Sequence, residues 1–296
     1  MTPRKRLNIL LADDGSQHAQ AAVQFLQTIP LAFTSQVRLV RAFSSGQIDA
    51  VPEFELSLKR TETQLSTLGL RVETELKLAS PADLILETAE ANPMDLIILG
   101  AKGLRSTAGI LLGGVAQQVI EYSNCPVLIV RAPYHGLRKI LLVTDGSPSS
   151  SSAALYLADF PLPEGVELYL MHVLPPIQVP VLMEPHLGTW QPVYSVYPSR
   201  DEEALIRERD KGLGEALLKR TSSLLHNPSL NLTPVLVRGD AATEIMEYAA
   251  SNQIDLIVAG SRGLSNFKGI LLGSVSRKLV HYSNCSVLIV KGPKKE

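Results

Sequence analysis

Along the chain, short continuous apolar runs alternate with longer amphipathic stretches. Runs of roughly four to eight residues rich in Leu, Ile and Val read as strands buried on both faces. Stretches repeating every three to four residues read as helices. In the first half this predicts strands over Leu7–Ala12, Val37–Ala42, Arg71–Leu78, Leu96–Leu99 and Val127–Val130, with helices over Gln17–Thr28, Pro52–Leu68, Pro81–Asn92 and Gly114–Tyr122. The second half predicts strands over Ile140–Thr144, Glu167–Val173, Leu232–Val237, Leu256–Ala259 and Val287–Val290. Its helices fall over Ser149–Asp159, Asp201–Leu225, Ala241–Ser251 and Ser274–Tyr282. Strands separated this regularly by helices imply right-handed βαβ units and parallel sheets covered on both faces.

The two halves are copies of one another. Asp95 to Arg131 (DLIILGAKGLRSTAGILLGGVAQQVIEYSNCPVLIVR) and Asp255 to Lys291 (DLIVAGSRGLSNFKGILLGSVSRKLVHYSNCSVLIVK) agree at 20 of 37 positions without a gap. Their starts also match: Asn8 to Ser16 is NILLADDGS and Lys139 to Ser147 is KILLVTDGS. A repeat of this length reads as two tandem domains, residues 1–134 and 135–296. The DGS turns lie 131 residues apart and the glycine segments 160 apart, so the second half carries about 29 additional residues. These fall around Pro175 to Ser199, a stretch with six prolines and the chain's one Trp, Trp190. It reads as an irregular excursion: a lid, a contact surface or a loop without a role.

Composition narrows the class. With 28 Lys and Arg against 29 Asp and Glu, the net charge of −1 argues against a nucleic-acid footprint. The basic start Met1 to Arg6 runs into Leu7 to Ala12, which Asp13 and Asp14 interrupt too soon for a signal peptide. No apolar run approaches the roughly 20 residues of a membrane span. A cytoplasmic protein that binds neither nucleic acid nor membrane is expected. Cys125 and Cys285 occupy the same Ser-Asn-Cys step of the two copies, which reads as a small half-buried residue entering a strand. A redox pair would need them to meet in space. The six histidines show no metal-ligand spacing.

The chemistry that does stand out is a phosphate cradle. The fourth strand of half two ends in Gly260-x-x-Gly263, followed after nine residues by Gly273-Ser274 and at once by a helix. Glycines let backbone N–H groups approach an anion, and a helix N-terminus adds unpaired donors and a positive dipole end. The absence of Gly-Lys-[Ser/Thr] excludes a Walker A loop. The first strand ends in Thr144-Asp145-Gly146-Ser147, also before a helix. There Asp145 is either a ligand to the crevice at the strand ends or the helix cap. A small-residue strand-to-helix turn is the competing reading of the glycine spacing.

The pairing of a DGS turn with G-x-x-G-x9-G-[S/T] resembles the nucleotide-binding pattern of the universal stress protein family, over nearly the whole chain, twice. The resemblance implies an open five-stranded parallel sheet in each half, Rossmann-like, and ATP or AMP, with or without Mg²⁺, at the motif. In half two it places Asp145 by the base and ribose and Val173 against the adenine, with Thr144, next to Asp145, also among the binding residues. Gly260, Gly263, Gly273 and Ser274 would hold ribose and phosphates, with Val275 close by; Arg262 and Lys268 would screen phosphate charge. In half one the corresponding residues are Asp14, Gly100, Gly103, Gly113 and Gly114. Half one departs from the pattern: Gly114 replaces the hydroxyl residue, Ala42 replaces Val173, and Asp13 replaces Thr144, putting a second carboxylate where a triphosphate would be repelled unless a bound Mg²⁺ lies between them.

The resemblance further implies that the last strands, Val127–Val130 and Val287–Val290, pair edge to edge as an intramolecular pseudo-dimer, with a homodimer of whole chains left open. Three functions follow: a nucleotide-binding regulator of a stress response, an interaction scaffold in which nucleotide is structural or absent, and a slow ATPase or nucleotidyl transferase. For the last, no nucleophile–base set is legible.

Overall fold

The computed structural model describes residues 6–104, 112–177, 181–186, 189–195, 199–225, 231–263 and 272–292, with segments 181–186 and 189–195 described by their backbone alone. Half one contributes β1 (Asn8–Ala12), α1 (Gln17–Thr28), β2 (Gln36–Phe43), α2 (Val51–Ser66), β3 (Arg71–Leu78), α3 (Pro81–Ala91), β4 (Leu96–Gly100), α4 (Gly114–Tyr122) and β5 (Val127–Val130). A 3₁₀ turn over Ser45–Ala50 leads into α2. Half two contributes β6 (Lys139–Val143), α5 (Pro148–Asp159), β7 (Glu167–Leu174), β8 (Val181–His186), β9 (Thr189–Ser195), α6 (Arg200–Ser222), β10 (Asn231–Arg238), α7 (Ala241–Ser251), β11 (Leu256–Gly260), α8 (Ser274–Tyr282) and β12 (Ser286–Val290).

Each half forms five parallel strands flanked by helices, as the apolar runs predict. The two sets join into one ten-stranded sheet in the order β10-β7-β6-β11-β12-β5-β4-β1-β2-β3. The halves meet in this sheet at one junction, β12 against β5. It is antiparallel, with Val287 opposite Ile129, Leu288 opposite Leu128 and Ile289 opposite Val127. These strands are buried at every position, as strands in the middle of a covered sheet must be. The outermost strands β3 and β10 are the polar, partly exposed ones, which blunts the free edges.

Two apolar layers cover the sheet. One is built around Ile9, Leu11, Phe25, Leu39, Leu128, Leu142, Leu168 and Leu288. The other uses the alternate positions, among them Leu10, Ile85, Ile97, Ile129, Leu141, Ile257 and Ile289. Both layers run through the two halves without interruption, because Leu128 and Leu288 face one side while Ile129 and Ile289 face the other. The segment between the halves is anchored as well. Tyr134 packs edge-on against Phe25 at 5.6 Å and its hydroxyl meets Thr28 Oγ1 at 2.7 Å.

The proline-rich excursion departs from the expectation of an irregular loop. β8 and β9 pair antiparallel as a two-stranded sheet of their own, with one register shift between Leu182 and Met183. Val, Leu, Trp and Tyr supply strand propensity there, while Pro185 and Pro192 lie in a ribbon with free edges, where a missing N–H is tolerated. Lys268 lies outside the described residues.

Candidate functional site

Each half has a cavity at the carboxyl ends of its strands, where strand order reverses. β1 lies between β2 and β4, and β6 lies between β7 and β11, so the chain leaves each first strand on one side and returns on the other. Such a reversal opens a crevice. In half one the cavity is about 350 Å³ and is lined by Asp14, Ala42, Gly100, Gly103, Gly113 and Gly114, among others. In half two it is about 340 Å³, and Thr144, Asp145, Val173, Gly260, Arg262, Gly263, Gly273, Ser274 and Val275 all border it. Both sets of candidate residues, far apart in sequence, are thus brought to one place in each half.

The DGS turn is held by local bonding. Gly15 and Gly146 both take φ of +80°, a left-handed conformation that glycine adopts without strain. Asp14 Oδ1 accepts from Ser16 N at 3.0 Å, and Asp145 Oδ1 accepts from Ser147 N at 3.0 Å. The helix cap is the serine, not the aspartate: Ser16 Oγ accepts from Ala19 N at 3.1 Å and Ser147 Oγ from Ser150 N at 3.2 Å. The same hydroxyls donate across the crevice to Lys102 O at 3.1 Å and Arg262 O at 3.3 Å. Each serine therefore fastens the first turn to the glycine loop. The motif shows in the sequence but this second role does not, because it rests on a bond spanning 86 or 115 residues.

The aspartates are left facing the loops. A Cβ on Gly263 would stand 2.8 Å from Asp145 Oδ2, and one on Gly103 would stand 2.6 Å from Asp14 Oδ2. Side chains at these glycines would displace the carboxylates. Asp14 Oδ2 also accepts from Leu104 N at 3.2 Å. Gly100 and Gly260 allow a closer approach still: a Cβ there would lie 2.6 Å from the backbone carbon of His18 or Ser149 at the start of the facing helix.

The helices that follow the loops are built differently from their neighbours. α1, α5, α6 and α7 begin with a serine or aspartate whose side chain accepts a first-turn N–H. α2 and α3 lack that bond but carry a proline in the first turn, which removes one donor. α4 and α8 begin at Gly113 and Gly273, with neither device. Their first-turn N–H groups and the positive end of the helix dipole are directed to the cavity mouth, which suits an anion. The loop itself is tied down behind them: Ala101 N bonds Val130 O and Gly113 N bonds Ala101 O, both at 2.8 Å. The matching bonds in half two are Ser261 N to Val290 O at 2.8 Å and Gly273 N to Ser261 O at 2.7 Å.

The halves differ in detail. Thr144 is buried, with its hydroxyl directed to Ser150 Oγ at 3.2 Å and Thr221 Oγ1 at 3.4 Å. Asp13 takes the corresponding place, and its carboxylate accepts from Gly15 N at 2.8 Å and from Thr61 Oγ1 at 2.9 Å. It is therefore held by the turn and α2 while still lining the cavity, with Arg41 also on that wall. Arg41 donates to Asp14 O at 2.8 Å and stacks on Phe54 at 4.2 Å, while its buried Nη1 finds no partner among the described residues. In half two the corresponding His172 donates from Nδ1 to Thr144 O at 2.8 Å, a satisfied strand-end histidine. The second cavity is the more polar: Ser150 and Ser276 border it where half one has Ala19 and Ala116, and Ser276 donates to Gly260 O at 2.7 Å. Arg262 is exposed; its backbone N–H bonds Ser149 Oγ at 3.2 Å.

His18, at the back of the first loop, accepts from Ala132 N through Nδ1 at 2.9 Å, which requires that nitrogen to be unprotonated; burial lowers its pKa. The cysteines do not form a pair. Continuing the β5–β12 register sets Cys125 opposite Lys291 and Cys285 opposite Arg131, about 20 Å apart along the ladder. Burial raises both thiol pKa values, that of Cys285 to about 11. Among the described residues no group of three or more His, Cys, Asp and Glu side chains is placed to hold a metal ion, and no helix is long and apolar enough to cross a membrane.

The description "Universal stress protein family" fits two stretches of the chain, residues 5–131 and 136–291. Universal stress protein Rv2005c of Mycobacterium tuberculosis is 28% identical over 229 residues, covering 75% of this chain and 70% of that one. Universal stress protein MJ0531 of Methanocaldococcus jannaschii is 31% identical over 168 residues, which is 57% of this chain and 90% of the relative. Among solved structures, a universal stress protein from Archaeoglobus fulgidus superposes with a TM-score of 0.61 at 18% identity over 98% of both chains. The functionally unknown protein PA1789 of Pseudomonas aeruginosa gives 0.66 at 15% identity over 97% of this chain and 93% of its own.

Proposed function

The chain belongs to the universal stress protein family, and we propose that it is an adenine-nucleotide-binding regulator of a stress response, with a working site in half two and a second in half one. The observation that carries this reading is the meeting, in one cavity of about 340 Å³, of the Asp145 carboxylate with the uncapped N-terminus of α8. A carboxylate accepts hydroxyl donors and bare N–H groups accept an anion, so the two ends of the cavity suit a ribose and its phosphates. Val173 and the backbone at the end of β7 would meet the base, with Thr144 beneath. Gly260, Gly263, Gly273, Ser274 and Val275 would hold the ribose and phosphates, and Arg262 would screen their charge. Half one offers Asp14, Gly100, Gly103, Gly113 and Gly114 in the same places. The ligand is ATP or AMP, with Mg²⁺ as an accompanying ion of the triphosphate.

Residues 1–134 and 135–296 act as the two functional units, and we read the β5–β12 pairing as an intramolecular pseudo-dimer in a cytoplasmic protein. That pairing also supports a second reading, an interaction scaffold in which nucleotide has no regulatory effect. Calorimetric titration of nucleotide-stripped protein with ATP and Mg²⁺ separates the readings. Two binding events are expected, one lost in Gly273→Asp and the other in Gly113→Asp. A Cβ at either glycine meets nothing closer than 3.4 Å, so a side chain can begin there without a clash, and an aspartate would add its charge at the helix start. Like charges about 4 Å apart there oppose binding by roughly 4 kcal/mol. No heat with ATP, AMP or a cyclic adenine nucleotide would leave the scaffold in front. Steady phosphate release would instead point to an ATPase.

A further inference from the structure

A second connection between the halves, besides the β5–β12 ladder, lies behind the cradles, at the far ends of α4 and α8. Arg131 follows the last residue of β5 and is buried. Its Nη2 donates to Val280 O at 2.7 Å, in the last turn of α8 of the other half, and its Nε to Cys285 O at 3.1 Å, between α8 and β12. Lys291 follows the last residue of β12, and its Nζ donates to Ile120 O at the carboxyl end of α4. Each half thus supplies the cation that closes the other half's phosphate-facing helix. Glu121 on α4 and Arg277 on α8 add an ion pair at 3.8 Å.

These contacts complete a circuit with the cradle bonds. From the N-cap of α4, Gly113 N bonds Ala101 O, Ala101 N bonds Val130 O, and the next residue, Arg131, grips α8. From the N-cap of α8, Gly273 N bonds Ser261 O, Ser261 N bonds Val290 O, and the next residue, Lys291, grips α4. α4 and α8 each have nine residues, about 13 Å of helix, short enough to move as rods.

We propose that this reciprocal clamp couples the two cavities, so that nucleotide held at one glycine loop changes affinity at the other by about fivefold or more. An anion drawn onto the N-terminus of one rod shifts its far end, and the close-packed interior passes that shift on. The inference rests on the nucleotide reading of both cavities. By linkage the effect is the same in both directions.

The test uses the full chain and ATP with Mg²⁺. Gly113→Leu and Gly273→Leu fill one cradle without adding charge, so each variant reports one site by calorimetry. The coupled protein gives an intact-chain isotherm that departs from the sum of the two single-site isotherms. Lys291→Met removes the departure and leaves simple additivity, and Lys291→Arg, which keeps a charged donor, retains it. Hydrogen exchange without nucleotide supplies a readout independent of binding: Lys291→Met speeds exchange in half one, at Ile120 to Tyr122 and around Gly113. Additive isotherms in the intact chain would overturn the coupling while leaving the nucleotide reading in place. A departure that survives Lys291→Met, or unchanged exchange in half one, would overturn the clamp as its route. No heat in any variant would remove the nucleotide reading and the coupling with it.

Discussion

The two glycine loops share a spacing, yet the helix after one opens on Gly114 and the helix after the other on Ser274. One cavity is bordered by Ala42 and Ala116, the other by Val173 and Ser276. Their volumes are nearly equal, about 350 and 340 Å³. The comparison separates what the fold demands from what a ligand would select. The tight approaches at Gly100 and Gly260, the left-handed turns at Gly15 and Gly146 and the bridging serines are common to both halves and hold the crevice open. The hydroxyl at the helix start and the side chains at the end of the second strand, Ala42 and Val173, are where the halves differ.

The largest effect should fall on the shared scaffold. Gly260→Ala and Gly100→Ala each push a methyl into the backbone of the facing helix, 2.6 Å away. Each should lower stability by about 3 kcal/mol, read from the urea midpoint. Loss in only one of the two would show that the halves are not equivalent as scaffolds. Next comes the divergent hydroxyl. Gly114 is exposed and a Cβ there meets nothing within 4 Å, so Gly114→Ser fits without strain. A hydroxyl bonded to a phosphate contributes about 1.5 kcal/mol at the lower end of charge-assisted bonds, roughly a tenfold gain in affinity at half one. Ser274→Gly should cost half two the same factor, with the opposite cradle blocked in each titration. No change in either would place the difference between the halves elsewhere, with Ala42 and Val173 the next pair to exchange.

The smallest effect concerns the two clamping cations. Arg131 keeps its charge throughout the accessible pH range. Burial pushes the Lys291 amine down from 10.5 to about 8. Between those values the unfolded chain binds a proton that the folded chain does not, so this residue makes stability rise with pH across that window. The gain from pH 8 to 9 is about 1 kcal/mol. Above pH 9 the Cys285 thiol, pushed up to about 11 by burial, acts in the opposite sense, because the unfolded thiol ionises first. Urea midpoints at pH 8 and 9 should therefore diverge between the native chain and Lys291→Met; parallel behaviour would mean the amine titrates as it does in water.

The inner strands of both halves were legible because each is a continuous apolar run, the polar edge strands β3 and β10 because they occupy the same place in the repeat, and the helices because of their own periodicity. That these residues line one cavity in each half was legible because glycine spacing and the DGS turn are local patterns. What stays hidden depends on distant partners. Asp13 reads as an unwelcome charge until Thr61, 48 positions away, is seen to bond it. Ser16 and Ser147 read as turn residues until their second bonds cross the crevice. Nothing near Arg131 and Lys291 in sequence announces helix ends 149 and 171 positions away. The β8–β9 ribbon was hidden by its prolines, which argue against a central strand but not against a free-standing one.

The antiparallel junction of β5 and β12 has a consequence for dosage. Two separate chains joined by such a ladder would part on dilution, and their pairing would follow cellular concentration. On the proposed intramolecular pairing, the short linker between β5 and β6 would tie the two halves at an effective concentration in the millimolar range, and assembly would not depend on abundance. The two cavities are also produced in a fixed one-to-one ratio.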